Sequence, residues 1–78
     1  MSIMKIEEFI EKFAEIFDDT DALTLTPQTR FRELEEWSSL AALGVIALAD
    51  EEFDVELKTS EMRRTSTIQE LYDLISAK

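Results

Sequence analysis

The chain has 78 residues, of which 45% are hydrophobic, so we expect one small domain with a core rather than a disordered acidic tail. It has no Cys and no His, which excludes disulfides, thiolate metal sites and every catalytic triad built on histidine. The net charge of −10 argues against binding to nucleic acid or anionic lipid, and a single Gly and a single Pro disfavour folds with many hairpins.

The first predicted element is an amphipathic helix that ends near Phe17. Its apolar residues recur at steps of three and four and form one stripe: Ile3, Ile6, Phe9, Ile10, Phe13, Ile16 and Phe17. Asp18 and Asp19 follow, and the helix dipole disfavours negative charge at a C-terminal end. The helix is therefore expected to stop before these two residues.

Residues 18–38 are predicted to form a long connection that lies on the core. Threonines and Pro27 favour turns and extended backbone, and a short helical turn is expected near residues 30–34. The connection also carries spaced apolar residues that could reach the core: Leu23, Leu25, Phe31, Leu34 and Trp37.

Two acidic groups of this connection are candidates for a functional site. The run from Asp18 to Asp21 resembles the start of a calcium loop, but the Gly at the sixth position and the Glu at the twelfth are missing. Glu33, Glu35 and Glu36 could in principle form an acid–base pair, but nothing in the sequence would desolvate them. We therefore interpret both groups as solvated acidic surface and expect no metal site.

The strongest helix signal runs from Leu40 to Phe53, with Ser38 as N-cap, Ser39 as the first helical residue, and Asp54 and Val55 at the end. One face is predicted to enter the core: Ala42, Val45, Ile46, Ala49 and Phe53. A roughly opposite, exposed stripe is predicted from Leu40, Gly44, Ala47 and Glu51. Gly44 in this stripe could serve either tight helix packing or the close approach of a partner. We expect Gly44→Ala to stabilise the protein by roughly 0.4–1 kcal/mol and to leave the fold unchanged.

The C-terminal part is predicted to contain a short helix and a last helix. Residues 59–64 suit a single helical turn, with Arg63 and Arg64 in a solvated turn. Ser66 or Thr67 should cap the last helix, whose apolar face comprises Ile68, Leu71, Tyr72 and Ile75. The fold class is therefore all-α, a small bundle of three main helices plus one short helix, in a single domain over residues 1–78.

Ser38 and Ser39 stand at the start of the apolar helix and allow two interpretations. Both can be capping residues with no further role, because Ser is a common N-cap. Alternatively, one hydroxyl carries a covalently attached phosphate group, because free N–H groups and the positive end of the helix dipole favour an anion there.

The wider pattern resembles the acyl carrier protein family over nearly the whole chain. The residues that carry the resemblance are Phe31-x-x-Leu34-x-x-Trp37-Ser38-Ser39-Leu40, then Leu43 and Ile46, the run from Asp50 to Leu57, and the run from Ser66 to Leu71. In that family the pattern Asp-Ser-Leu holds the serine that receives 4′-phosphopantetheine from coenzyme A. The resemblance implies that Ser39 is the attachment site and that Leu40 is the motif leucine. Trp37 then either anchors the loop or shields the base of the prosthetic arm.

The chain departs from the family pattern near that serine. Ser38 replaces the motif aspartate, and Ala41 and Gly44 occupy helix turns that usually carry acidic groups. Arg63 and Arg64 stand where acidic or mixed residues are usual. The departures leave the choice of transferase and partners open, and the absence of Gly-Gly-x-Ser disfavours a peptide synthetase carrier.

The resemblance implies a free-standing cytoplasmic monomer that is a carrier and not an enzyme. Its partners would be a phosphopantetheinyl transferase and acyl-loading and acyl-transferring enzymes with basic patches, with no role for nucleic acid or membrane. Residues 1–57 hold 15 acidic and 4 basic side chains, which places the acidic contact face there. The expected partner-binding residues are Leu40, Leu43, Gly44, Ala47, Asp50 and Glu51.

The acyl group and the pathway stay open. Fatty acid or polyketide biosynthesis, surface-polysaccharide modification and aminoacyl transfer are all compatible with the residues. The alternative function is an unmodified acidic helical adaptor that binds a basic protein partner.

Overall fold

The computed structural model describes residues 5–78, which form a bundle of three main helices and one short helix. The helices are α1 (Ile6–Ala14), α2 (Ser39–Phe53), α3 (Thr59–Met62) and α4 (Ile68–Ser76). Two 3₁₀ turns, Ala22–Thr24 and Phe31–Glu33, lie in the long connection between α1 and α2. The predicted fold class is confirmed, and so is the short turn expected near residues 30–34. Within the described range, none of the helices is long and apolar enough to cross a membrane.

The core lies where α1, α2 and α4 meet, and Leu25 and Phe31 of the long connection complete it. Its largest fully buried side chains are Phe9, Phe13, Phe31, Val45, Ile68, Leu71 and Ile75. Phe31 comes from the connection, so that segment is part of the core and is held in place by it. Of the stripe predicted for the first helix, Ile3 lies outside the described residues.

Helix α1 ends at Ala14, three residues before the predicted end. The N–H of Ile16 donates to the carbonyl of Phe13 at 3.1 Å, and the N–H of Phe17 donates to that of Ala14 at 3.1 Å. These i to i−3 bonds continue the apolar stripe in a tighter turn. Phe17 is therefore buried as predicted, although it follows the regular helix.

The buried face of α2 is rotated relative to the prediction. The buried residues of this helix are Ala41, Val45, Leu48 and Ala49. Ala42, Ile46 and Phe53, which were expected in the core, are only half-buried. Nearly every residue in the first ten of this helix is apolar, so periodicity alone could not select the face.

The long connection lies on the core as predicted, with one exception. Leu25 and Phe31 are buried, and Leu34 and Trp37 are half-buried. Leu23, however, is 91% exposed on the first 3₁₀ turn, so the prediction that it reaches the core is wrong. Asp21 accepts the N–H of Leu23 at 3.0 Å and thereby caps this turn, which directs the leucine away from the core.

The connection is also bonded directly to the start of α4. The N–H of Ile68 donates to the carbonyl of Thr29 at 3.0 Å, and the N–H of Gln69 donates to that of Pro27 at 2.8 Å. The first N–H groups of a helix have no partner within it, so these two bonds satisfy donors that would otherwise need water. Thr67 caps the same helix, as predicted, by accepting the N–H of Glu70 at 3.1 Å.

Candidate functional site: the start of helix α2

Ser38 and Ser39 differ in what their hydroxyl groups do. Ser38 is the N-cap of α2, and its Oγ accepts the N–H of Ala41 at 3.3 Å. Ser39 is the first helical residue and is exposed, and among residues 5–78 its hydroxyl has no hydrogen-bond partner. The predicted cap is confirmed, and the hydroxyl of Ser39 is the one left available for chemistry.

The electrostatics of this helix start favour an anion. The first turn of α2 contains no acidic residue to offset the positive end of the helix dipole. In the described part of the chain, the N–H groups of Ser39 and Leu40 also have no protein acceptor. A negatively charged group on the Ser39 hydroxyl would therefore meet a favourable field.

Trp37 fixes the position of the two serines. Its ring stacks on Phe13 with centroids 6.4 Å apart and planes 9° apart, and it contacts Phe31 edge-on at 5.0 Å. These contacts bind the residue just before the serines to the core aromatic cluster. The interpretation of Trp37 as a loop anchor is therefore confirmed.

Glu36 provides a second attachment of the same segment. Its carboxylate accepts the N–H of Asp19 and the hydroxyl of Thr20, which lie just after α1. Chiefly because of the Thr20 hydrogen bond, the pKa of Glu36 lies below its ordinary value. Glu36 is therefore more than solvated acidic surface, because it also links the loop to the segment that follows α1.

A groove of about 330 Å³ opens beside Ser39, between the start of α2 and α3. We call it the Ser39 groove, and its lining comprises Arg32, Trp37, Ser38, Ser39, Ala42, Thr59, Met62 and Arg63. From sequence, Arg63 is expected in a solvated turn, and nothing in the sequence brings Arg32 to the serines. Only the packing of α3 against the connection brings these two arginines to the same groove, and no local pattern signals it.

The expected partner-binding residues lie on α2, and most of them are exposed. Leu40 is 78% exposed and Leu43 is 61% exposed, while Ala47, Asp50 and Glu51 are also at the surface. Leu40 and Leu43 are thus large apolar side chains left at the surface of α2.

Gly44 is the exception among these residues. It is half-buried, and a β-carbon built on it would lie 2.9 Å from Cγ2 of Ile16. Gly44 therefore faces the turn that follows α1, and the prediction that it lies in an open stripe is wrong.

Comparisons with known proteins show the family to which the chain belongs. The family model for the phosphopantetheine attachment site matches residues 7–75. The acyl carrier protein of Rubrobacter xylanophilus is 32% identical to this chain over 75 residues, which cover 92% of this chain and 93% of that protein. No solved structure matches the chain. The match over nearly its full length shows that the chain belongs to the acyl carrier protein family, whose members carry covalently attached 4′-phosphopantetheine.

Proposed function

We propose that Ser39 carries the 4′-phosphopantetheine arm and that the protein presents acyl groups on this arm to a series of partner enzymes. The observation that carries the proposal is the contrast between the two serines. The hydroxyl of Ser38 accepts the capping hydrogen bond. The hydroxyl of Ser39 is exposed, forms no hydrogen bond within residues 5–78, and lies at a helix start whose first turn has no acidic residue. The residues present therefore fit a phosphodiester on Ser39.

Attachment requires a separate transferase and coenzyme A. The Ser39 oxygen forms a new bond to the phosphorus next to the pantetheine, and the bond linking the two phosphates of coenzyme A breaks. Adenosine 3′,5′-bisphosphate leaves, and the hydroxyl proton passes to a base of the transferase. The arm, once attached, supplies a terminal thiol that holds an acyl group as a thioester.

The chain's own contribution is to display this arm and to be recognised. Leu40 and Leu43 offer apolar contact next to Ser39, and Asp50 and Glu51 offer negative charge further along α2. Partner enzymes with basic patches would be attracted by the charges and held by the leucines. The proposed setting is the cytoplasm, with the protein acting as a monomer.

The test is the intact mass after reaction with coenzyme A and a transferase of broad specificity. The wild-type protein and Ser38→Ala should each gain one phosphopantetheine, and Ser39→Ala should gain none. Digestion of the wild-type product should place the added mass on Ser39. A wild-type protein that gains no mass would instead favour the unmodified acidic adaptor, and an arm on Ser38 would shift the site by one residue.

A further inference from the structure

The Ser39 groove has a positive rim in a strongly acidic protein. Two arginines line it, and its remaining lining consists of hydroxyl and apolar side chains with no carboxylate. The whole chain carries a net charge of −10, so a surface depression with this composition departs from the average surface. Such a composition suits an anion attached to a partly apolar group.

Arg32 is anchored on one side of this groove by two contacts. Its Nη1 donates to the carbonyl of Met62, the last residue of α3, at 3.2 Å, and its guanidinium carbon lies 5.3 Å from the centre of the Phe31 ring. This arrangement uses one of the five N–H donors of the guanidinium, so the others can serve a ligand. Arg32 therefore contributes a fixed positive charge.

The nearby carboxylates are already paired with other groups. Glu33 lies 3.6 Å from Arg30, and Glu61, next to Met62 on α3, lies 2.6 Å from the amino group of Lys78. The Lys78 contact is also the main reason that the pKa of Glu61 lies below its ordinary value. Within residues 5–78, neither Arg32 nor Arg63 lies within 4.0 Å of a carboxylate oxygen.

Arg32 and Arg63 differ in their more distant surroundings. The pKa of Glu70 is lowered mainly by the N–H groups of Ser66 and Thr67 and to a smaller degree by Arg30 and Arg32. The charge of Arg32 therefore acts partly on Glu70, whereas Arg63 forms no ion pair with an acidic group within residues 5–78. Arg63 is exposed and lines the same groove as Ser39, so an anion introduced on Ser39 would share that groove with Arg63.

We propose that Arg63, assisted by the fixed charge of Arg32, is the counter-charge for the phosphodiester that links the arm to Ser39. This inference rests on the proposed function, because that function places the phosphodiester at the edge of the groove. A phosphodiester has one negative charge at neutral pH, and a charge-assisted hydrogen bond from a guanidinium restricts its motion. The arm would then leave the protein along the wall formed by α3 instead of projecting freely from α2.

The experiment compares apo and fully modified forms of the wild type, Arg63→Gln, Arg63→Lys and Arg64→Gln. Arg64 is the matched control, because it is an adjacent exposed arginine that does not line the groove. Modification with coenzyme A is driven to completion and verified by mass. For each variant, the shift in Tm between the apo and modified forms is measured, together with ³¹P relaxation of the phosphodiester, at low and high salt.

We expect modification to raise the Tm of the wild type and of Arg64→Gln by similar amounts at low salt. In Arg63→Gln at least half of this shift should be lost and the ³¹P signal should relax as a more mobile group. Arg63→Lys should retain part of the shift, and high salt should reduce the wild-type shift because the pair is exposed. Comparison with each variant's own apo form removes any direct effect of the substitution on stability.

Three outcomes would overturn the inference, and they are distinguishable. If modified Arg63→Gln behaves like modified Arg64→Gln, Arg63 does not pair with the phosphodiester. A second outcome is that the loss of the Tm shift in Arg63→Gln is absent when the arm ends in a free thiol or a butyryl group and present when it carries a succinyl group. In that case Arg63 pairs with the carboxylate of the cargo and not with the phosphodiester. If Ser39 gains no mass in any variant, the proposed function itself fails and the role of Arg63 fails with it.

Discussion

A β-carbon on Gly44 would lie 2.9 Å from Cγ2 of Ile16, closer than carbon atoms normally approach. Ile16 follows α1, so this contact lies where the end of α1 packs against α2. The β-branched side chain of Ile16 is stiff about its first torsion angle and cannot easily withdraw the methyl group. The absence of a side chain at Gly44 therefore permits the close approach of the two elements.

Gly44→Ala is expected to destabilise the protein, contrary to the expectation from sequence. Overpacking typically costs about 1–3 kcal/mol, which outweighs the helix propensity gain of roughly 0.8–1 kcal/mol. In an Ile16→Ala background the same substitution should become stabilising, because the clash is gone. Urea denaturation of the two single variants and the double variant would measure this coupling, and additive effects would contradict the packing.

Ser38→Ala is expected to lower the free energy of unfolding by about 1 kcal/mol, because the N–H of Ala41 loses its acceptor. Ser39→Ala is the matched control and should leave stability nearly unchanged, because the Ser39 hydroxyl has no partner among the described residues. Thermal denaturation of the two unmodified variants would separate them. Equal losses of stability in the two variants would contradict the assignment of the N-cap to Ser38 alone.

Glu36→Gln is expected to destabilise the protein at neutral pH, since the charged acceptor for Thr20 and Asp19 is lost. The pKa of Glu36 is lowered in the folded state, chiefly by the Thr20 hydrogen bond. Its contribution to stability is therefore full above the ordinary glutamate pKa of about 4.3 and is lost as the pH falls through the lower folded value. The stability difference between wild type and Glu36→Gln should accordingly narrow in acid.

Glu35→Gln serves as the control for this pH series, because Glu35 is a neighbouring exposed glutamate that forms no hydrogen bond or ion pair within residues 5–78. It should differ little from the wild type at any pH. If the stability difference between wild type and Glu36→Gln stays constant down to the pH of acid unfolding, the ionised carboxylate of Glu36 is not the form that stabilises the fold.

Asp50→Lys combined with Glu51→Lys is expected to slow the reaction with the transferase at low salt. Exposed charges act mainly on the rate of encounter and are screened by salt, so the defect should shrink as ionic strength rises. The measurement is kcat/KM across a salt series. A double variant that matches the wild type at low salt would place electrostatic recognition elsewhere, for example on Glu33 and Glu35 in the connection.

Leu43→Ala is expected to weaken the complex with the transferase at every salt concentration, mainly through faster dissociation. If Leu43 is a central anchor of the interface, its truncation should cost more than about 1 kcal/mol, so the dissociation rate should rise at least about fivefold. Leu23→Ala is the matched control, because Leu23 is 91% exposed on the connection and not on α2. Surface plasmon resonance would distinguish them, and equal behaviour would remove Leu43 from the interface.

Local patterns predicted the helices well, because caps and apolar spacing act over a few residues. Ser38 and Thr67 cap the helices as expected, and Asp54 ends α2 in the left-handed conformation, with φ 55°. The sequence could not predict which face of α2 is buried, because apolar residues surround the start of that helix. It also could not predict that Gly44 meets Ile16, or that Arg63 and Arg32 share a groove, since these contacts join segments distant in sequence.

The hydrogen bonds from Ile68 and Gln69 to the carbonyls of Thr29 and Pro27 have a consequence for amide exchange. These two N–H groups belong to α4, yet their protection from deuterium depends on whether the connection between α1 and α2 is docked. If the connection detaches while α4 stays intact, they lose protection, whereas the amides in the middle of α4 keep theirs. The first two amides of α4 therefore act as natural reporters of loop release, and Phe31, which is buried in the core, limits how often they can open.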